Sequence, residues 1–324
     1  MDQEPTEPSI PERVHSLWYE DGNIVLQAGN SYFRVFRGIL AARSPVFRDM
    51  LSFPQPADAE LVDGCPVVRL PDSSWEVTVF LRAIFEPEFL MPYPAQTDFD
   101  AIAGCLRLSH KYGVDYLRRR ALIHLSSGFP TTLAECDASI QSWDQPEDDS
   151  HLIFIIRLAY EVDALWILPH ACYELGRFFK LVGTESLGGA VYNGVSISLD
   201  PHLQRRFLNG YHVQITSCTT TFLHHPLDIV GCTQPEKCIT VRMRVLSPFE
   251  RHRRPLMFAA PLHSWEPEHW VALKGVCSTC LPVLKQTHKK AREEFWDRLP
   301  QLYGLPSWEE LEEQKSEAIG DAHV

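Results

Sequence analysis

Short apolar runs separated by turn residues open the chain, and helical spacing then takes over. Ile24, Val25 and Leu26 form a continuous apolar run of the kind a buried strand carries. Gly29, Asn30 and Ser31 supply turn residues that accept positive φ. Residues 32–36 then alternate about Arg34, as in a strand with one wetter face, so the two runs predict a hairpin. Ile39, Leu40 and Arg43 belong to a short helix. Ser44 is a good N-cap, and Pro45 fits the first position of a second helix. Val46, Phe47, Met50 and Leu51 give that helix its apolar face.

The pattern continues with a third strand at 67–70 and a helix capped by Asp72, Ser73 and Ser74. That helix carries Val77, Phe80, Leu81, Ile84 and Phe85, and Pro87 stops it. Phe99, Ile102, Leu106 and Leu108 mark a helix ending near Gly113. The next runs from about 114 to 127, with Tyr116, Leu117, Leu122 and Leu125 inward. Residues 137–150 are polar and read as a loop. Two strongly apolar segments, from Leu152 to Tyr160 and from Leu165 to Phe179, predict a helical pair. The glycine-rich stretch 183–198 lacks a following Gly-Lys-Ser/Thr and reads as a flexible loop. A helix is expected from about 201 to 223. Residues 239–245 alternate Thr240, Arg242, Arg244 against Val241, Met243, Val245, which predicts a half-buried strand. Leu302, Tyr303, Leu305 and Trp308 are expected to anchor the C-terminal part, and the acidic end from 311 to 324 to fray. The fold class is α+β: a small sheet covered by helices over 16–128, then a mainly helical region with a short β element over 129–310.

At 324 residues the chain has room for about two domains. A hydrophobic fraction of 45% and a charged fraction of 22% are ordinary for a globular protein. The net charge of −12 argues against nucleic acid or an anionic membrane surface as a partner of the whole chain. No run of about 18 apolar residues is present, so no membrane span is expected. The start is acidic and proline-containing, unlike a secretory signal. Nine cysteines in such a chain are expected to be reduced thiols, which points to an intracellular protein, cytoplasmic or nuclear.

The segment from Asp21 to Leu51, with Asp21-Gly22-Asn23-Ile24-Val25-Leu26 and Phe36-Arg37-Gly38-Ile39-Leu40-Ala41-Ala42-Arg43-Ser44-Pro45-Val46-Phe47, resembles the opening of a BTB/POZ domain. Leu106-Arg107-Leu108-Ser109-His110-Lys111-Tyr112-Gly113-Val114-Asp115-Tyr116-Leu117 resembles that family's paired C-terminal helices. The narrower resemblance is to the BTB proteins expanded in mushroom-forming fungi, and Phe295-Trp296 with Trp308 resembles a C-terminal signature of that group. The resemblance implies a dimerising scaffold or adaptor, not an enzyme. It implies partner contacts from Val14, Leu17, Trp18, Asp21, Arg37 and Arg48. Val14, Leu17 and Trp18 stand at helical offsets: they form a helix exchanged onto a partner, or they close the domain's own core. Many BTB domains carry a His where this chain has Arg37. BTB adaptors for cullin-3 ubiquitin ligases often carry a hydrophobic-x-Glu motif, and Asp58 stands where its hydrophobic residue belongs, which argues against that partner.

Inorganic chemistry has one candidate. Cys277-Ser278-Thr279-Cys280 is a CxxC, and Cys232 with Cys238 is a looser pair upstream. Two such pairs supply the four soft ligands that a structural zinc ion takes. The plainer alternative is that Cys277 and Cys280 open an amphipathic helix and pack as thiols. Cys218, His224 and His225 lie nearby in sequence. The basic runs 118–120 and 251–254 read as solvated faces, with a zinc-supported nucleic-acid regulator as the alternative they leave open. The usual catalytic spacings (GxSxG, HExxH, Walker A, GxGxxG) do not occur. His263, Glu266, Glu268 and His269 lie close together around Pro267, and read as a packed surface loop.

Overall fold

The computed structural model describes residues 11–53, 60–138, 140–144, 146, 150–182, 189–217, 229–251 and 260–320. The chain divides into two compact units, one formed by 1–128 with 141–146 and 318–324, the other by 129–140 with 147–317.

The first unit is built on a five-stranded sheet, β1 (Glu12–Trp18), β2 (Ile24–Ala28), β3 (Ser31–Val35), β4 (Leu61–Val62) and β5 (Cys65–Leu70), in the order β1-β3-β2-β5-β4. The predicted hairpin is β2–β3, antiparallel, with Ala28 opposite Ser31 and Gly29 at φ +53° in the turn. β5 runs parallel to β2. Leu26, Phe33 and Val35 are buried beneath five helices: α1 (Arg37–Arg43), α2 (Pro45–Ser52), α3 (Ser74–Phe85), α4 (Phe99–Tyr112) and α5 (Asp115–Ser127).

Local chemistry sets these boundaries. Ser44 caps α2, its Oγ accepting from the Phe47 amide at 3.0 Å and donating to the Tyr112 carbonyl at 2.5 Å. Ser73 caps α3 through the Glu76 amide, and Gly113, in the left-handed region at φ +67°, ends α4. Two buried carboxylates then tie α3 to α4. Glu76 pairs with Arg107 at 2.8 Å, and Asp72 accepts from Lys111 at 2.6 Å and from the Tyr112 hydroxyl at 2.5 Å. The Tyr112 ring stacks on Phe47, and its hydroxyl is pushed well above the usual range by burial and then by Asp72. Because Ser44 serves both α2 and α4, Ser44→Ala is expected to cost about 1–2 kcal/mol, read as a lower midpoint in urea.

Three expectations fail in this unit. The segment holding Val14, Leu17 and Trp18 is a strand, not a helix. β1 runs parallel to β3, with Glu12 opposite Ser31, Arg13 opposite Tyr32 and Trp18 opposite Arg34. Only Leu17 of the three is fully buried, so the i, i+3, i+4 spacing carried no helical face. The open edge of β3 offers backbone partners that a helix would leave unmet. Val46 and Tyr116, placed inward by spacing, are 41% and 39% exposed. Phe47 and Leu51 supply the buried stripe of α2, and Leu117 takes the inward position on α5.

The second unit is mainly helical: α6 (Leu133–Ala138), α7 (Ser150–Glu161), α8 (Leu168–Val182), α9 (Pro201–Ser217), α10 (Pro235–Arg251), α11 (Pro267–Val271) and α12 (Cys280–Leu302), with α13 (Trp308–Ile319) closing the described chain. α7 and α8 pack on each other as the predicted helical pair. The Tyr303 hydroxyl donates to Gln214 Oε1 at 2.5 Å, and its ring lies so close to Gly210 that a Cβ there would meet it at 2.4 Å.

Here too the structure corrects the sequence. Residues 190–197 form a hairpin, β6 (Ala190–Tyr192) with β7 (Val195–Ile197), turned at Asn193 and Gly194, both at positive φ. The Asn-Gly pair between apolar residues is the signal for it. Residues 239–245 belong to helix α10, not to a strand. Pro235 opens that helix, and Cys238, Val241 and Arg242 are buried, at i, i+3 and i+4. Reading Arg242 as a wet position made a helical stripe look like alternation. Helix α13 continues to Ile319, fully buried, where fraying was expected from 311. The tail 321–324, the polar residues 147–149 and the glycine-rich 183–188 lie outside the described residues.

Candidate functional site

Two places are candidates for function. The first is the outer face of α1 and α2. Ile39 is 40% exposed, Val46 41% and Phe53, just past α2, 70%. Tyr116 joins them from the first turn of α5, with the Arg43 guanidinium 5.4 Å from its ring centre. The α4–α5 corner abuts the same helix: a Cβ on Gly113 would sit 3.0 Å from Pro45 and 3.9 Å from Val46. Ile39, Val46, Phe53 and Tyr116 are large apolar side chains left open to water on or beside α1 and α2.

The partner residues expected from the sequence are dispersed by comparison. Leu17 is core. Val14 and Trp18 are half-buried on β1, and the Arg13 guanidinium stacks 4.4 Å from the centre of the Trp18 ring. Asp21 is exposed in the turn before β2. Arg37 braces the domain internally: its amide donates to Asn23 Oδ1 at 2.8 Å and its guanidinium to the Leu51 carbonyl. Arg48 is exposed and pairs only loosely with the adjacent Asp49, at 3.7 Å. Sequence reasoning missed the exposure of Ile39, Val46 and Phe53. The available signal was α2 itself, which holds more apolar residues than a helix of two turns can bury on one side.

The second place is in the second unit. The Sγ atoms of Cys232, Cys238, Cys277 and Cys280 all lie within 4.8 Å of one another. Cys232 stands just before α10, Cys238 in its first turn, and Cys277 and Cys280 at the start of α12, so two helix beginnings bring the two pairs together. Cys232 and Cys277 are 3.9 Å apart, and all four are free thiols. The Cys277 amide donates to Cys238 Sγ at 3.3 Å. Amides of Thr233 and Cys280 aimed at Cys277 hold its thiol down to about 5, whereas burial raises Cys238 and Cys280. Ile229, Val241, Leu273 and Leu284 surround the four sulfurs.

The sheet, its helices and their exposed face decide the first unit. Residues 19–127 match the BTB/POZ domain family. A BTB/POZ domain is a protein–protein interaction module, and this chain is a BTB domain-containing protein of α+β class. No curated protein and no solved structure matches the chain. The BTB/POZ match ends with α5.

Other candidate motifs have structural occupations. Arg119 Nε donates to the Ile319 carbonyl at 2.8 Å and an Arg120 guanidinium nitrogen to the Leu90 carbonyl at 2.7 Å, so that basic run braces the BTB unit. Glu266 and His269 form a reciprocal capping box on α11, and the Trp270 indole donates to the Trp265 carbonyl at 3.0 Å. The sequence predicts a packed loop there; residues 267–271 instead form the short helix α11, and none of them is buried. Asp58, Cys218, His224, His225, His252, Arg253 and Arg254 lie outside the described residues. No helix among the described residues is long and apolar enough to cross a membrane.

Proposed function

We propose that this chain is a non-enzymatic interaction module, a dimerising scaffold or adaptor whose BTB/POZ domain pairs with a second copy through the face of α1 and α2. The observation that carries the reading is the exposure of Ile39 on α1, Val46 on α2 and Phe53 just past α2. Covering them removes apolar surface from water at about 25 cal/mol per Å². β1, at the edge of the sheet, offers a row of backbone groups open to pairing as well.

Light scattering on the purified protein tests this. The expected mass is near twice 37.0 kDa. Ile39→Asp with Val46→Asp is expected to weaken the dimer at least about tenfold, which corresponds to 1.4 kcal/mol. The far-UV circular dichroism of the variant is expected to stay that of the wild type, which separates a lost dimer from a lost fold. A wild-type monomer at high protein concentration overturns dimerisation while leaving the domain assignment intact. Kinship with the BTB proteins of mushroom-forming fungi belongs to the same proposal and rests on the CxxC followed by Phe295-Trp296 and Trp308. A cullin-3 adaptor has less support, because the motif position holds Asp58. A nucleic-acid regulator has less again at a net charge of −12.

A further inference from the structure

We propose that Cys232, Cys238, Cys277 and Cys280 are the four ligands of one structural zinc ion that staples the second unit together. The site stands on geometry and on composition. A tetrahedral ion with Zn–S bonds near 2.3 Å sets its sulfurs about 3.8 Å apart. The Cys232–Cys277 separation is 3.9 Å, and no sulfur is farther than 4.8 Å from another. A disulfide needs about 2.05 Å, so these thiols are gathered without being bonded. Among the described residues no βαβ unit surrounds the CxxC, as a thioredoxin-like pair requires.

The surroundings suit a charged centre. The four thiols give up their four protons to solvent when the metal binds, and four thiolates around Zn²⁺ leave a net charge of −2. Burying that charge requires compensation. Arg242 supplies it: one turn beyond Cys238 on α10, it is only 1% exposed and faces the sulfurs of Cys280, Cys238 and Cys232. The N–H···S bond from Cys277 to Cys238 and the amides directed at Cys277 add partial positive charge. Cys238 and Cys280 are themselves buried members of the apolar cluster around the site, so a metal there ties the start of α10 to the start of α12 within that cluster.

Native mass spectrometry of the full chain, expressed with zinc supplied and purified under reducing conditions, tests the site. One zinc per chain is expected. After chelation under reducing conditions, Co²⁺ is expected to give the intense visible bands of a tetrahedral thiolate complex. Cys232→Ser with Cys277→Ser is expected to abolish both signals. Arg242→Met is expected to keep one zinc per chain but to bind it about 10–100-fold more weakly in chelator competition. That variant and the wild-type metal content stand even where the cysteine variant fails to fold. A zinc-free wild type whose reduced form takes up no Co²⁺ overturns the proposal, as does a Cys232–Cys277 disulfide in the freshly isolated protein. Equal zinc affinity in Arg242→Met removes the role given to Arg242.

Discussion

Trimming Trp143 to alanine is expected to cost the BTB unit about 3–5 kcal/mol, among the largest losses a single substitution brings here. Trp143 sits in the short return of chain, 141–146, that belongs to the first unit although it follows α6. It is 2% exposed. Its ring tilts against Phe99 at 5.4 Å, and its indole N–H donates to the His124 carbonyl at 3.0 Å. The neighbouring Ser142 carbonyl accepts from the Thr97 amide at 3.0 Å, and its hydroxyl meets His124 Nδ1 at 2.8 Å. The same contact can be attacked from its other side. A Cβ on Gly128 would lie 2.4 Å from the Trp143 ring, so Gly128→Ala is expected to cost about 1–3 kcal/mol by overpacking. Urea unfolding read by far-UV circular dichroism checks both, as a lower midpoint for the transition of the first unit. An unchanged midpoint for Trp143→Ala would show that the BTB unit folds without residues 141–146.

This return shows where the sequence was legible and where it was not. Elements fixed by local chemistry were readable from side chains close in sequence: the β2–β3 hairpin from its turn, α2 from Ser44-Pro45, α3 from Ser73, and the end of α4 from Gly113. Trp143 was hidden because its neighbours are polar. A segment of mixed character reads as a loop until one knows that Gly128, just past α5, leaves a slot for a large ring. β1 was misread because its partner, β3, lies elsewhere in the chain, and strand pairing has no local signature when one residue alone is buried. α10 was misread because Arg242 is a buried charge, and a period-based reading assigns charge to the wet side. The cysteine cluster was half legible: residue types and the CxxC spacing identified the candidates, but only the start of α10 beside the start of α12 brings all four sulfurs together. The exposed face of α1 and α2 was the least legible. Apolar residues at helical spacing read as core, and only the fold says which of them it leaves outside.

Acidification is expected to destabilise the second unit through His288, by about 3 kcal/mol between pH 7 and pH 4. His288 is 8% exposed, on the inner side of α12, with the Trp265 and Trp270 rings 6.0 and 5.6 Å away. Burial drives its pKa from 6.5 to about 4, and the cation of Arg292 adds to the drop; a hydrogen bond to the His263 backbone opposes it only in part. His263 is shifted in the same direction by burial and by His269, and in the BTB unit His124 is lowered by burial. In the folded protein His288 stays neutral until about pH 4, whereas in the unfolded chain it takes up a proton near 6.5. Between those values the unfolded state binds more protons. The stability is therefore fully present above pH 6.5 and is lost progressively as the pH falls from there to 4. His288→Gln keeps a polar side chain of similar reach but removes the titration. Denaturant midpoints at pH 7, 5.5 and 4, for wild type and variant at equal metal load, isolate the histidine, because every titration the two proteins share cancels. The wild type is expected to lose about 3 kcal/mol more than the variant over that range. Equal losses would mean that His288 is solvated and protonates in the folded state, and that the ring cluster of Trp265, Trp270 and His288 opens to water.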